Sequence, residues 1–398
     1  MYARHSNKIK NARLILPVIV VSQFAGTSLW FAGNAVIADL QRAFQLPDSA
    51  IGYLTSAVQL GFISGTLTFA LLTISDRFSP SKVFFICALA GAFFNLSLYL
   101  FAQGFASVLA LRVTTGFFLA GIYPVGMKIA SDHHERGLGK SLGYLVGALV
   151  VGTAFPHLLK RFTESLSWEY VFILTSVCAG LGGLLMLLII PDGPYRRKSS
   201  GLNITAFLNL FQSKNFRSVA FGYFGHMWEL YTFWAFVPVI LSLYNKIHNS
   251  ALDISLLSFI IIGIGGLACV IGGYMSERFG SAKVAFTALT ASGACCLLSP
   301  LAFNLPEFLF IIYLLFWGMT VIADSPQFST LVAQRADKTI VGTALTIVNS
   351  IGFSITIVSI QFTNYMMHHI LPQYLYVLLL PGPIFGLWAM FRQIKNPS

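Results

Sequence analysis

Four ionisable side chains stand inside long apolar runs of this sequence: Arg112, His226, Glu229 and Asp324. At the centre of a bilayer each would cost on the order of 3 kcal/mol by insertion scales, so a functional reading comes first. Burial disfavours the charged form of a carboxylate, which suits a group that takes up and releases protons. At about 1.5 Å per residue, Glu229 lies ~16 Å from the start of its run, near a membrane midplane, and Asp324 lies at a comparable depth. His226 and Glu229 are three residues apart and share a helix face. Glu229 is therefore the first candidate proton carrier and Asp324 the second, with Arg112 able to stabilise a carboxylate; His226 reads equally as a cavity histidine with its hydrogen bonds satisfied. A fixed Glu229–Arg112 pair that merely ties segments together is the plain structural alternative.

The elements that must hold these groups are membrane helices. The chain has 398 residues, 56% of them hydrophobic and only 10% charged, where soluble domains carry about 25% charged residues. A helix needs about 20 apolar residues to cross the hydrocarbon core. Candidate spans lie at 14–38, 50–74, 83–103, 105–130, 139–159, 170–190, 218–244, 254–275, 284–303, 307–333, 340–366 and 374–391. Runs such as 171–190 do not alternate apolar and polar residues as barrel strands would. With the N-terminus inside, twenty Lys and Arg residues fall on the cytoplasmic side, against Arg42, Lys160, Arg161 and Lys246 on the other. That bias predicts that both termini are cytoplasmic; the expected location is the plasma (inner) membrane. The bias also accounts for the net charge of +11 without any nucleic-acid partner.

The five cysteines all fall within spans, which gives neither a disulfide framework nor zinc spacing. His133-His134 and His368-His369 are adjacent pairs in loops, and sequence neighbours do not share a helix face. Neither a metal site nor a cofactor is expected.

The chain repeats itself. Asp76-Arg77-Phe78 with Lys82 recurs as Glu277-Arg278-Phe279 with Lys283, at an offset of 201. Gly116, Pro124, Glu135 and Arg136 recur as Gly318, Pro326, Asp337 and Lys338, at an offset of 202. The expected architecture is an all-α membrane protein of twelve transmembrane helices in two pseudo-symmetric six-helix bundles. Residues 1–192 form the first half, 193–217 a basic cytoplasmic linker, and 218–398 the second half. Parallel repeats of this kind typify one class of transporter.

With these motifs the chain resembles a major facilitator superfamily (MFS) transporter over its whole length. The loop signature of that family is present after span 8 as Gly273, Glu277, Arg278, Gly280 and Lys283. After span 2 it keeps Asp76, Arg77 and Lys82 but has Leu72 and Ser79 where glycines are usual. Arg112 and Gly116 match the R-x-x-x-G signature of helix 4. The resemblance implies a cytoplasmic gate built from Asp76, Arg77, Asp132, Arg136, Glu277 and Arg278, with Asp76 set against Asp132 and Arg136, and Glu277 against Arg335 or Lys338. It implies that spans 1, 4, 7 and 10 line a central cavity. Gln23, Trp30, Asn34, Gln59, Trp228, Tyr231, Trp234 and Asn349 are the polar and aromatic candidates for its walls. Span 5 has Gly143, Gly147, Gly152 and Pro156, but Phe155 stands where the family's drug antiporters have glycine.

The expected function is secondary active transport of a small organic solute by alternating access with proton coupling, by a monomer in the lipid bilayer. The alternatives are a drug or metabolite efflux antiporter and, from other classes, a membrane sensor or a membrane enzyme. The sequence has no P-loop, H-E-x-x-H or G-x-S-x-G. Topology is directly testable: in a cysteine-free background, single cysteines replacing Ser213 and Asn249 should label from opposite sides of the membrane. Labelling of both from outside would sink the expected orientation.

Overall fold

The computed structural model describes residues 2–133, 138–196, 209–336 and 340–395. No strand occurs among them. Eleven described helices are long and apolar enough to cross a membrane, and the apolar stretch Leu14–Thr27 of the first helix supplies the twelfth span. The spans alternate in direction, so both ends of the chain lie at one face, called here the terminal face. The opposite face is called distal. Spans 1–6 and spans 7–12 each form a bundle, and the protein is an integral membrane protein.

Three spans are interrupted where a continuous helix is expected. Span 1 runs Tyr2–Thr27 and resumes as the short helices Ala32–Ala35 and Ile37–Phe44. Span 4 is divided into Phe105–Leu119 and Tyr123–His133, and span 10 into Glu307–Ala323 and Ser325–Arg335. Pro124 and Pro326 explain the latter two: each removes a backbone donor and clashes with the preceding turn. Their matched positions make the two breaks duplicates of one another. Span 12 likewise begins as a 3-10 helix, Pro372–Leu379, before continuing as Pro381–Lys395.

Packing repeats as well. In the first half, a Cβ placed on Gly116 of span 4 would lie 2.1 Å from the Val58 carbonyl oxygen of span 2, Ala50–Leu71. In the second half, a Cβ on Gly318 of span 10 would lie 2.0 Å from the Ile261 carbonyl oxygen of span 8, Ile254–Phe279. Only glycine allows these backbones to touch, which is how helices associate without a hydrophobic driving force between them.

The two halves meet along two seams. Span 5, Leu138–Phe162, lies against span 8 for its full length. Tyr144 and Tyr274 join hydroxyls there at 3.1 Å near the terminal face, and Arg161 pairs with Asp253 near the distal face. The other seam joins span 2 to span 11, Val341–Met366. Gln361 donates to the Gly52 carbonyl at 3.0 Å and to Ser56 Oγ at 2.8 Å, and Asn364 donates to the Ser49 carbonyl at 3.1 Å. These bonds all lie toward the distal face.

Overpacking a tight contact costs about 1–3 kcal/mol. Gly116→Ala and Gly318→Ala should therefore each lower the thermal unfolding midpoint of the detergent-purified protein, with similar magnitude in the two halves. Gly342→Ala, where an added Cβ meets nothing within 4 Å, should leave it unchanged. Equal midpoints for all three variants would show that the duplicated contact contributes nothing.

Candidate functional site

The break in span 1 leaves backbone carbonyls unpaired inside the membrane, where no water can take them. Arg112 supplies the missing donors. Its guanidinium donates to the Leu29 carbonyl at 2.9 Å, the Trp30 carbonyl at 2.6 Å and Asn95 Oδ1 at 2.9 Å. Arg112 is only 1% exposed, and no carboxylate lies within ion-pair distance of it among the described residues. The expected pairing with Glu229 does not form, because the guanidinium is spent on backbone.

Asp324 sits in the break of span 10 and is the residue preceding the half-helix Ser325–Arg335. An acid is favoured at such a helix N-terminus. His226 of span 7, Lys214–His248, brings Nδ1 to 2.9 Å from Asp324 Oδ1, and both side chains are buried. The approach is off line, so neither carboxylate oxygen accepts a well-aligned hydrogen bond. Phe328 and Tyr223 flank the imidazole, with ring centroids at 5.8 and 5.9 Å.

Glu229 belongs to a separate network. It accepts from Trp317 Nε1 at 2.6 Å and Ser292 Oγ at 2.9 Å, with Cys296 Sγ at 3.4 Å. Trp317 is in span 10, and the other two are in span 9, Ser281–Ala302. The carboxylate thus points into the packing of the second bundle, and the expected place of Glu229 in the central cavity is corrected. A fifth buried ionisable group, His157 of span 5, was hidden in the sequence by its position inside an apolar run beside Pro156.

A small central cavity lies between the two halves. Tyr123, Tyr223, Tyr231, Ser325, Ser329 and Asn349 are its polar walls. Tyr231 and Asn349 were expected there; the other four were not. Ser325 and Ser329 are four residues apart in the segment just after Asp324, which is the signal that could have found them. Above this cavity six aromatic rings seal the distal side. Trp30 packs on Tyr231 at 5.7 Å, on Phe353 at 5.9 Å and on Phe62 at 4.9 Å, and Phe31 meets Trp234 edge-on at 6.4 Å. Trp30 and Trp234 therefore belong to a plug between the halves.

The other expected wall residues lie elsewhere. Asn34 donates to Thr55 Oγ1 at 2.7 Å, between spans 1 and 2. Trp228 turns outward, donating to the Leu378 carbonyl at 3.1 Å and packing on Phe362. Gln23 and Gln59 are sealed from solvent behind the lining, with both amide atoms of each lacking a partner.

At the terminal face the expected gate takes a different form. Lys128 joins Asp76 at 2.8 Å to Asp132 at 3.6 Å. Arg196 donates to the Asp76 and Phe78 carbonyls and pairs with Asp192 at 2.8 Å. This network ties the loop to its own half. Arg77 closes the short helix Ile74–Arg77, and Arg278 lies over the Phe279 ring at 5.3 Å. Glu277 stands near Lys140, itself 4.3 Å from the Tyr274 ring centre. Arg136 and Lys338 lie outside the described residues.

Known proteins share this architecture. The structure of the proton:xylose symporter XylE bound to 6-bromo-6-deoxy-D-glucose superposes with a TM-score of 0.77 at 15% identity, over 98% of this chain and 96% of that one. The human organic anion transporter MFSD10 gives 0.72 at 13% identity, over 95% and 99%. A D-galactonate transporter of Escherichia coli O6:H1 is 30% identical over 146 residues, 35% of this chain; the match spans about a third of that relative, 32% of its length. Residues 18–391 match the Major Facilitator Superfamily from the first span to the last, and the chain belongs to that family of transporters.

Proposed function

We propose that this protein is a secondary active transporter that moves a small organic solute by alternating access, coupled to protons through the Asp324–His226 pair. The observation that carries the reading is the 2.9 Å contact between two buried titratable groups at a helix break, beside Tyr223 and Ser325 of the cavity lining. A carrier must face the solute path and be reachable alternately from each side. Asp324 adjoins the cavity through Ser325 and, by way of His226, Tyr223, while Glu229 is turned to Trp317 and Ser292, so Asp324 is taken as the first candidate in place of Glu229. Glu229, held by Trp317 and Ser292, is assigned to bundle packing.

Residues 1–192 and 218–398 act as the two rocking bodies in this reading, joined by the 193–217 linker. The positive-inside bias supports cytoplasmic termini, and the plasma (inner) membrane is the location in this reading. The plug and the Arg161–Asp253 pair then close the outer side. The names of similar proteins include a sugar symporter, a sugar-acid transporter and an organic anion transporter, which supports a small polar solute. Efflux in exchange for protons is the second reading, since the same pair serves either direction.

The test uses liposomes enclosing a pH-sensitive dye, with pentoses, hexoses and the corresponding aldonates added outside. A transported solute should acidify the lumen if it enters with protons and alkalinise it if it enters in exchange for them. Asp324→Asn should reduce that pH change at least tenfold while solute–solute exchange continues. Glu229→Gln should retain it. A full pH response from Asp324→Asn would remove Asp324 from the coupling path.

A further inference from the structure

The geometry points to an uncharged polyhydroxylated solute, a neutral sugar or polyol, as the cargo of the central cavity. This rests on the transport reading above and specifies its substrate. Three observations carry it.

The first is the chemistry of the walls. The polar lining is three phenols, two serine hydroxyls and one amide, Tyr123, Tyr223, Tyr231, Ser325, Ser329 and Asn349. Hydroxyls and amides both donate and accept, as sugar hydroxyls do. No lining residue is a Lys or Arg. Carboxylates and phosphates are recognised by such cations, above all by the planar guanidinium.

The second is that the buried cation is already committed and that the nearby helix N-terminus already has an acid beside it. Arg112 is the one buried Lys or Arg among the described residues. Its donors go to the Leu29 and Trp30 carbonyls and to Asn95. The half-helix Ser325–Arg335 presents its N-terminus beside the cavity, a natural anion site. Asp324 precedes that half-helix and stands at its N-terminus as an acid, although its side chain makes no capping hydrogen bond. An incoming anion would face that acid; a neutral solute would not. His226 is matched to Asp324, so the pair adds no net charge in either protonation arrangement that keeps one proton between them.

The third is the supply of further neutral partners and of a flat apolar wall. Gln23 Oε1 lies against Gly126, one helical turn from the lining residue Tyr123. Gln59 is one turn from Phe62, whose ring is 4.6 Å from the lining Phe353. The four amide atoms of these glutamines are buried without partners. Such groups are costly when left unpaired. They stand behind the lining as further neutral donors and acceptors. Tyr231 and Phe353, 5.1 Å apart, complete the wall against which the C–H face of a sugar ring can pack.

The experiment is binding to the purified protein in detergent, read by intrinsic tryptophan fluorescence and confirmed by calorimetry. The probes are neutral pentoses, hexoses and hexitols, the aldonates with the same carbon skeletons, and tetraphenylphosphonium as a lipophilic cation. At least one neutral compound should bind, at least tenfold more tightly than its aldonate. Asn349→Leu and Ser329→Ala should each weaken that binding about tenfold. Ser329→Lys, or Asn349→Lys should the first variant not fold, should reverse the preference toward the aldonate. The inference is overturned if an aldonate or the cation binds the native protein as well as any neutral compound, or if no neutral compound binds. Proton movement driven by an aldonate would leave the coupled-transport reading standing while removing this one. Sugar binding without coupled proton movement would do the reverse.

Discussion

A helix that breaks inside a membrane must find new partners for its backbone, and the centre of this protein is arranged around that demand. The Leu29 and Trp30 carbonyls receive the Arg112 guanidinium, a positive group at the C-terminal end of a helix dipole. Span 10 is the converse, with the acid of Asp324 at the N-terminal end of a half-helix. Both placements follow the direction of the dipole. Because Arg112 holds the turn at 28–31, Trp30 and Phe31 are presented to Tyr231 and Trp234 of the opposite bundle. One guanidinium thus sets the backbone of span 1 and, through it, the contact between halves.

The two bundles share a plan and differ in how they use it. Each has one buried charged residue that ties together three spans. In the first half Arg112 of span 4 reaches span 3 through Asn95 and span 1 through its carbonyls. In the second half Glu229 of span 7 reaches spans 9 and 10. Neither group can be shared with a neighbouring half without leaving buried polar atoms unpaired, which is costly. The Asp324–His226 contact lacks such aligned support, and it is the one that touches the cavity lining.

Much of this architecture is legible in the chain. Composition and run length call for helices in lipid, and the offsets of 201 and 202 call for two bundles. Periodicity does not say where a helix breaks. Residues 27–33 contain no proline and are mostly apolar, so the turn in span 1 has no local mark; only its tertiary partner makes it stable. For the same reason Arg112 reads as a partner for acids when its partners are carbonyls. Trp228 and Tyr231 are three residues apart, yet Trp228 faces outward to Leu378 and Tyr231 faces the cavity. A stripe shared by i and i+3 is wide enough to straddle two environments. Lys128 is one of many basic residues near a loop in the sequence, and only the fold sets it between Asp76 and Asp132.

The aromatic plug also has an electrical consequence. A membrane protein with a titratable pair at mid-depth is exposed to short-circuit: a file of water running past that pair would let protons cross without cargo. Here the path from Asp324 to the distal face passes Trp30, Phe62, Tyr231, Trp234 and Phe353, rings packed at 4.6–5.9 Å. Among these rings only the Tyr231 hydroxyl both donates and accepts, and one such group makes no relay; an indole N–H donates and does not accept, and a phenyl ring does neither strongly. Hopping needs each group in the relay to do both. The rings that bar the solute therefore also insulate the membrane against proton leak.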